Sequence, residues 1–190
     1  MSMISNEDIQ NFENDGFLIK KNFFDKTRIN EIRNWVYEYM DKQIDDWEFG
    51  KEMAYYETSK KDGTRILARI EKFVDYHNGF KNLVESKQVT DCVDALMGES
   101  SVFFKEKINF KKAGGGGFNP HQDQISRWET YAKNFMNVLI CTDDSTIENG
   151  CLEVSPGFHK MGLLGPVDQP IPQTWLEKMN FIPVTTSLGD

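Results

Sequence analysis

The chain has 190 residues, 39% apolar and 27% charged, which suits one domain or most of one with a real core and excludes a disordered or fibrous polypeptide. Thirty acidic against 22 basic residues leave a formal charge of -8, which repels phosphate backbones and argues against nucleic-acid partners. No run of 18 apolar residues and no basic leader with an apolar stretch over Met1–Phe12 is visible, so a cytoplasmic protein with neither a membrane span nor an export signal is expected.

Ser5 with Asp8 has the spacing of a capping box, and Gly16 suits a C-cap, which predicts a helix over 6–15. Phe17–Phe24 reads as a strand. Ile29, Ile32, Trp35, Val36, Tyr39 and Met40 recur with helical period and predict a helix from Thr27 to about Ile44. Asp45–Thr64 lacks a period and reads as a long irregular segment. Val89, Cys92, Val93, Leu96 and Met97 form a second helical stripe that ends at Gly98. Residues 1–98 are thus expected to be mostly helical.

After Gly98 the period falls to two. Phe104, Glu106, Ile108 and Phe110 occupy one strand face, and Lys105, Lys107 and Asn109 the other, a face that is either solvated or turned into a barrel lumen. Phe135–Thr142 is apolar on both faces apart from Asn137 and reads as a strand covered on both sides. Glu148-Asn149-Gly150 supplies turn chemistry, so Cys151–Val154 is expected to return as its partner strand. Cys92, Cys141 and Cys151 are odd in number and lack CxxC spacing, as expected of reduced, buried thiols. The class is α+β, helices first and then an antiparallel sheet system.

The sharpest chemical feature is Phe118-Asn119-Pro120-His121-Gln122-Asp123. Residues two apart on an extended strand point to the same side, so His121 and Asp123 suit two cis positions on a metal; with one distant histidine they would complete a facial triad for Fe(II). A His-x-acid pair alone is common by chance. Ala113–Gly117 precedes it as a segment too small and flexible to pack, which lets the chain turn sharply into the His121 strand. His77 lacks metal-like spacing and reads as a structural or solvent histidine.

The run FKEKINFKKAGGGGFNPHQDQ followed by ENGCLEVSPGFHKMGLL resembles the phytanoyl-CoA dioxygenase family of Fe(II)- and 2-oxoglutarate-dependent oxygenases, strongly over Val102–Leu164. The resemblance implies a cupin-like double-stranded β-helix, or jelly roll, with packed N-terminal helices, as a single oxygenase domain over 1–190 whose jelly roll begins in 99–190. It implies Fe(II), 2-oxoglutarate and O2 as the reaction's cofactor and co-substrates, and hydroxylation with release of succinate and CO2. His121 and Asp123 match the first two iron ligands; Lys107, Asn109, Trp128 and Thr142 are assigned to the co-substrate; and Glu71 and Tyr76 to a small polar substrate. His159 matches a family motif near the site mouth, or else caps a surface loop. Asp123 favours hydroxylation over halogenation, because halogenating relatives replace this carboxylate.

The family places its distal histidine ligand and an arginine for 2-oxoglutarate in strands after a segment like Pro183–Asp190, so the jelly roll is expected to be C-terminally incomplete here. The substrate expectation follows bacterial members acting on small polar molecules such as aminophosphonates; Glu71 beside aromatic rings suits an amine, unless it only pairs with Arg69 or Lys72. A fatty acyl-CoA ranks second for want of basic surface. The rival readings are a cupin-like metal-binding module and an inactive remnant that serves protein interaction.

Overall fold

The computed structural model describes residues 4–123, 128–167 and 169–190. It divides into two compact units that interleave along the chain. One holds Met1–Asp25, Ala95–Gly98 and Phe118–Asp190; the other holds Lys26–Asp94 and Glu99–Gly117.

In the first unit, helix α1 (Asn6–Asp15) is closed at both ends by the expected chemistry. The Asp8 amide donates to Ser5 Oγ at 3.1 Å, and the Ser5 amide donates back to Asp8 Oδ2 at 2.9 Å. Gly16 takes φ +83 and donates its N–H to the Phe12 carbonyl at 2.8 Å. Phe17–Phe24 is not a strand. Asn22 sits at φ +52, which breaks the extended run, and its amide donates to the Asp190 side chain rather than into a ladder.

The same unit carries a two-stranded antiparallel sheet of β4 (Leu152–Val154) and β5 (Ile182–Val184), with helix α5 (Gln173–Leu176) before β5. Leu152 pairs with Val184 and Val154 with Ile182, so the partner of Cys151–Val154 is β5 and not Phe135–Thr142. The latter segment forms no strand. Among the described residues its one ladder-like exchange joins Cys141 to Gly189 and Asp190, and Val138 and Leu139 are 51% and 62% exposed rather than covered. Its apolar composition fits a covered strand, but no strand among the described residues pairs with it.

The second unit packs helix α2 (Lys26–Met40) and helix α3 (Asn78–Val84) with a three-stranded antiparallel sheet. The strands, in sheet order, are β1 (Met53–Thr58), β2 (Arg65–Glu71) and β3 (Lys107–Asn109). Ile29, Ile32, Val36 and Tyr39 are the buried stripe of α2; Ile70, Phe73, Phe80, Leu83 and Phe110 complete the core. The helix stops at Met40, not near Ile44, where a separate 3-10 turn begins. Helix α4 (Lys87–Met97) ends at Gly98, which turns the chain at φ +71.

The segment expected to be irregular contains β1, so the N-terminal half carries the strands β1 and β2 beside its helices. The strand escapes a period-two search because it is half-buried from Ala54 to Glu57 without alternation; the bulge in its pairing lies on β2, at Ala68. The strand expected over 104–110 narrows to β3, yet its alternation holds: Lys107 and Asn109 are exposed, Ile108 is half-buried and Phe110 buried. Glu106 leaves the ladder to accept the amides of Phe73 and Val74 at 2.7 and 3.0 Å.

Candidate active site

The HxD segment lies in the first unit, and Phe118–Gln122 belongs to no strand. The two side chains converge even so: His121 Nε2 lies 3.4 Å from Asp123 Oδ1. Nδ1 of His121 is 2.7 Å from the Asn119 carbonyl, which can only accept, so the proton belongs on Nδ1 and a lone pair on Nε2. A lone pair and a carboxylate oxygen facing each other repel unless a cation joins them, either a second proton or a metal ion. Donors at about 2.1 Å from an ion and at right angles stand roughly 3 Å apart, so the observed separation suits two cis positions. Among the described residues no group of three His, Cys, Asp or Glu side chains could hold a metal; His121 and Asp123 by themselves offer two such donors.

Two further side chains hold this pair in place. Asn137 Nδ2 donates to Asp123 Oδ2, fixing the carboxylate from its other oxygen. The signal for it lay in the sequence as the one amide in an apolar run. Gln122, between the two donors, ties the motif to the distant PGFHKMGLL segment: its Nε2 donates to the Gly162 carbonyl at 2.9 Å and its Oε1 accepts the Leu164 amide at 2.8 Å. The two halves of the family signature are thus joined by one side chain, a link that spacing could not reveal. His159 Nε2 meets the Glu13 carbonyl at 3.1 Å, and its ring fills the space beside Gly16.

Trp128 packs its ring against Phe135 at 5.3 Å, and Thr142 is half-buried beside Cys141. The thiol of Cys141 is pushed up chiefly by burial, and all three cysteines are free.

In the second unit the glycine tract does pack, contrary to expectation. The Lys60 amide donates to the Gly114 carbonyl at 2.7 Å, Gly116 donates to Glu57 Oε2 at 2.9 Å, and Ser59 sits where a Gly114 side chain would go. Lack of side chains is what admits these neighbours. His77 is structural: its Nδ1 accepts the Phe80 amide at 3.2 Å and caps α3.

Lys107 and Asn109 share one exposed face of β3; their register partners on β2 are Glu71 and Arg69. Glu71 Oε1 lies 3.2 Å from Arg69 Nε and 4.0 Å from Lys105 Nζ. It also lines a cleft of about 420 Å³ with Met53, Phe103, Phe104 and Lys105. Tyr76 is not among the lining residues; its hydroxyl donates to the Gly50 carbonyl at 3.4 Å, and Lys72 lies over its ring at 5.9 Å. Sequence reasoning had passed over Arg69 except as a partner for Glu71.

The family model described as Phytanoyl-CoA dioxygenase (PhyH) matches residues 12–190. A 2-aminoethylphosphonate dioxygenase from the uncultured bacterium HF130_AEPn_1 is 35% identical over 193 residues, covering 100% of this chain and 72% of that protein. A methylphosphonate hydroxylase from Gimesia maris is 31% identical over 192 residues, covering 98% of this chain and 70% of its own. The crystal structure of AviO1 from Streptomyces viridochromogenes shares the fold, with a TM-score of 0.71 at 19% identity over 100% of this chain and 83% of that one. No helix among the described residues is long and apolar enough to cross a membrane. On the match over residues 12–190 and the identities above, the chain belongs to the phytanoyl-CoA dioxygenase family of oxygenases.

Proposed function

We propose that this protein is an Fe(II)- and 2-oxoglutarate-dependent dioxygenase that hydroxylates a small polar molecule and releases succinate and CO2. The observation that carries the reading is the convergence of His121 Nε2 and Asp123 Oδ1 at 3.4 Å, with Nδ1 anchored and Oδ2 held by Asn137. In this reading residues 1–190 belong to a single oxygenase domain of jelly-roll type.

His121 and Asp123 hold the iron, which when bound supplies the oxidising chemistry with O2 and 2-oxoglutarate. The role of this chain is to position. The Asn119 carbonyl keeps the His121 proton on Nδ1, so that Nε2 is the donor. Asn137 keeps Oδ2 of Asp123 engaged and leaves Oδ1 beside His121 Nε2, where these two atoms would hold the iron. Lys107 and Asn109, in the second unit, offer an ammonium and an amide that suit a carboxylate, and Trp128 and Thr142, in the first, are proposed as co-substrate residues. Glu71, which walls the cleft, receives the substrate. Relatives named for 2-aminoethylphosphonate and methylphosphonate favour a small phosphonate as substrate class.

Anaerobic titration of the protein, as expressed from its gene, with Fe(II) and 2-oxoglutarate is the test. A visible charge-transfer band that is lost in His121→Ala is expected. Absence of the band in the wild type, or its persistence in His121→Ala, would refute the proposal.

A further inference from the structure

We infer that Arg69 and Glu71 form a clamp for a short zwitterion, with the Arg69 guanidinium taking its oxyanion and the Glu71 carboxylate taking its ammonium. The inference rests on the reading of this protein as a small-molecule oxygenase and assigns its substrate class; all of its evidence lies within the second unit.

The two residues are i and i+2 on β2, so they share a sheet face with Cα atoms roughly 7 Å apart. They currently satisfy each other, Nε to Oε1 at 3.2 Å, yet incompletely: Arg69 Nε is buried and that contact is not a well-formed hydrogen bond. Buried polar atoms without a hydrogen bond are rare in native folds and call for an explanation. The guanidinium lies over the Tyr55 ring with its carbon 4.3 Å from the centroid. Stacking fixes the plane of the fork, and a planar fork matches two oxygens of a phosphonate or carboxylate.

Charge decides between a bare anion and a zwitterion. A simple anion that drew Arg69 away would strip Glu71 of its nearest cation and leave it, among the described residues, Lys105 as its ion-pair partner, at 4.0 Å. A molecule bearing both charges separates the pair while giving each member a new opposite charge. Length decides the spacer. Side chains that already reach each other admit only a short insert, with the two charges a few bonds apart, and exclude a long acyl thioester as the group between them. Glu71 also walls the cleft, so the ammonium end has an open approach, and Phe103 and Phe104 there suit a cation. Across the ladder, Asn109 opposite Arg69 and Lys107 opposite Glu71 remain for the co-substrate, one strand away.

The test is calorimetric titration of the protein with three probes: 2-aminoethylphosphonate, ethylphosphonate and ethylamine. The wild type should bind the first at least tenfold more tightly than either fragment. Arg69→Gln should lower it to the level of ethylamine, and Glu71→Gln to that of ethylphosphonate, while far-UV circular dichroism stays unchanged. Binding of the zwitterion within threefold of either fragment by the wild type overturns the clamp without recourse to any variant. So does either folded variant that holds it within threefold of wild type. If the iron band depends on His121 while the probes are not discriminated, the clamp alone fails; if the clamp discriminates and no iron binds, the oxygenase proposal fails instead.

Discussion

On the proposed assignment of Fe(II) to His121 and Asp123, replacing Asn137 by alanine isolates the contribution of a single outer hydrogen bond to iron affinity. Its amide donates to Asp123 Oδ2, a bond to a charged acceptor. Such bonds contribute about 1.5–3 kcal/mol when protected from water. The Asp123 side chain is 46% exposed, so water recovers part of this and about 1–2 kcal/mol remains. At about 1.4 kcal/mol per tenfold, Fe(II) affinity should fall by a factor of roughly 5 to 30. That range overlaps the lower part of what loss of an outer-shell partner typically costs. The assay is anaerobic competition for Fe(II) between the protein and a chromophoric chelator, with urea unfolding in parallel. Val138→Ala, at the exposed neighbouring position, is the control. An Fe(II) dissociation constant within twofold of wild type in Asn137→Ala, or an equal loss in Val138→Ala, would refute the reasoning.

Gly16→Ala should destabilise the protein by roughly 2–3 kcal/mol, from the left-handed backbone at φ +83 together with eviction of the His159 ring from beside it; urea midpoints measure this, and a His159→Ala background should recover part of the loss. Lys20, followed by the Ser5 contacts, holds the Asp8 carboxyl at about 2, below its ordinary 3.8. A depressed folded-state value means that this stabilisation is complete above the unfolded value and lost as pH falls through the folded one. The stability gap between wild type and Asp8→Asn should therefore shrink between about pH 4 and 2, and a constant gap would contradict it. Cys141, buried and with its thiol pushed up, should alkylate more slowly at pH 8 than the half-buried Cys151; peptide mass spectrometry after timed iodoacetamide treatment would show equal rates if burial is not the cause.

Local chemistry was legible in the amino acids. The capping box at Ser5, the C-cap at Gly16, the stripe of α2 and the end of α4 at Gly98 all depend on residues within a turn or two of one another, and all stand in the structure. The pairing of His121 with Asp123 belongs to the same class, because residues two apart need little beyond an extended local chain to meet.

Tertiary structure decided whatever depends on a distant partner. β1 became a strand because β2 pairs along its whole length, bulging at Ala68 to do so, whereas Phe135–Thr142 did not because, among the described residues, its backbone partners Gly189 and Asp190 meet it at Cys141 alone. Gln122 and Asn137 acquired their roles in the same way, through atoms that only folding brings within hydrogen-bonding range. Apolar pattern declares which residues leave water, since burial needs no particular partner; hydrogen bonds and ion pairs do need one, and its identity is written in the fold.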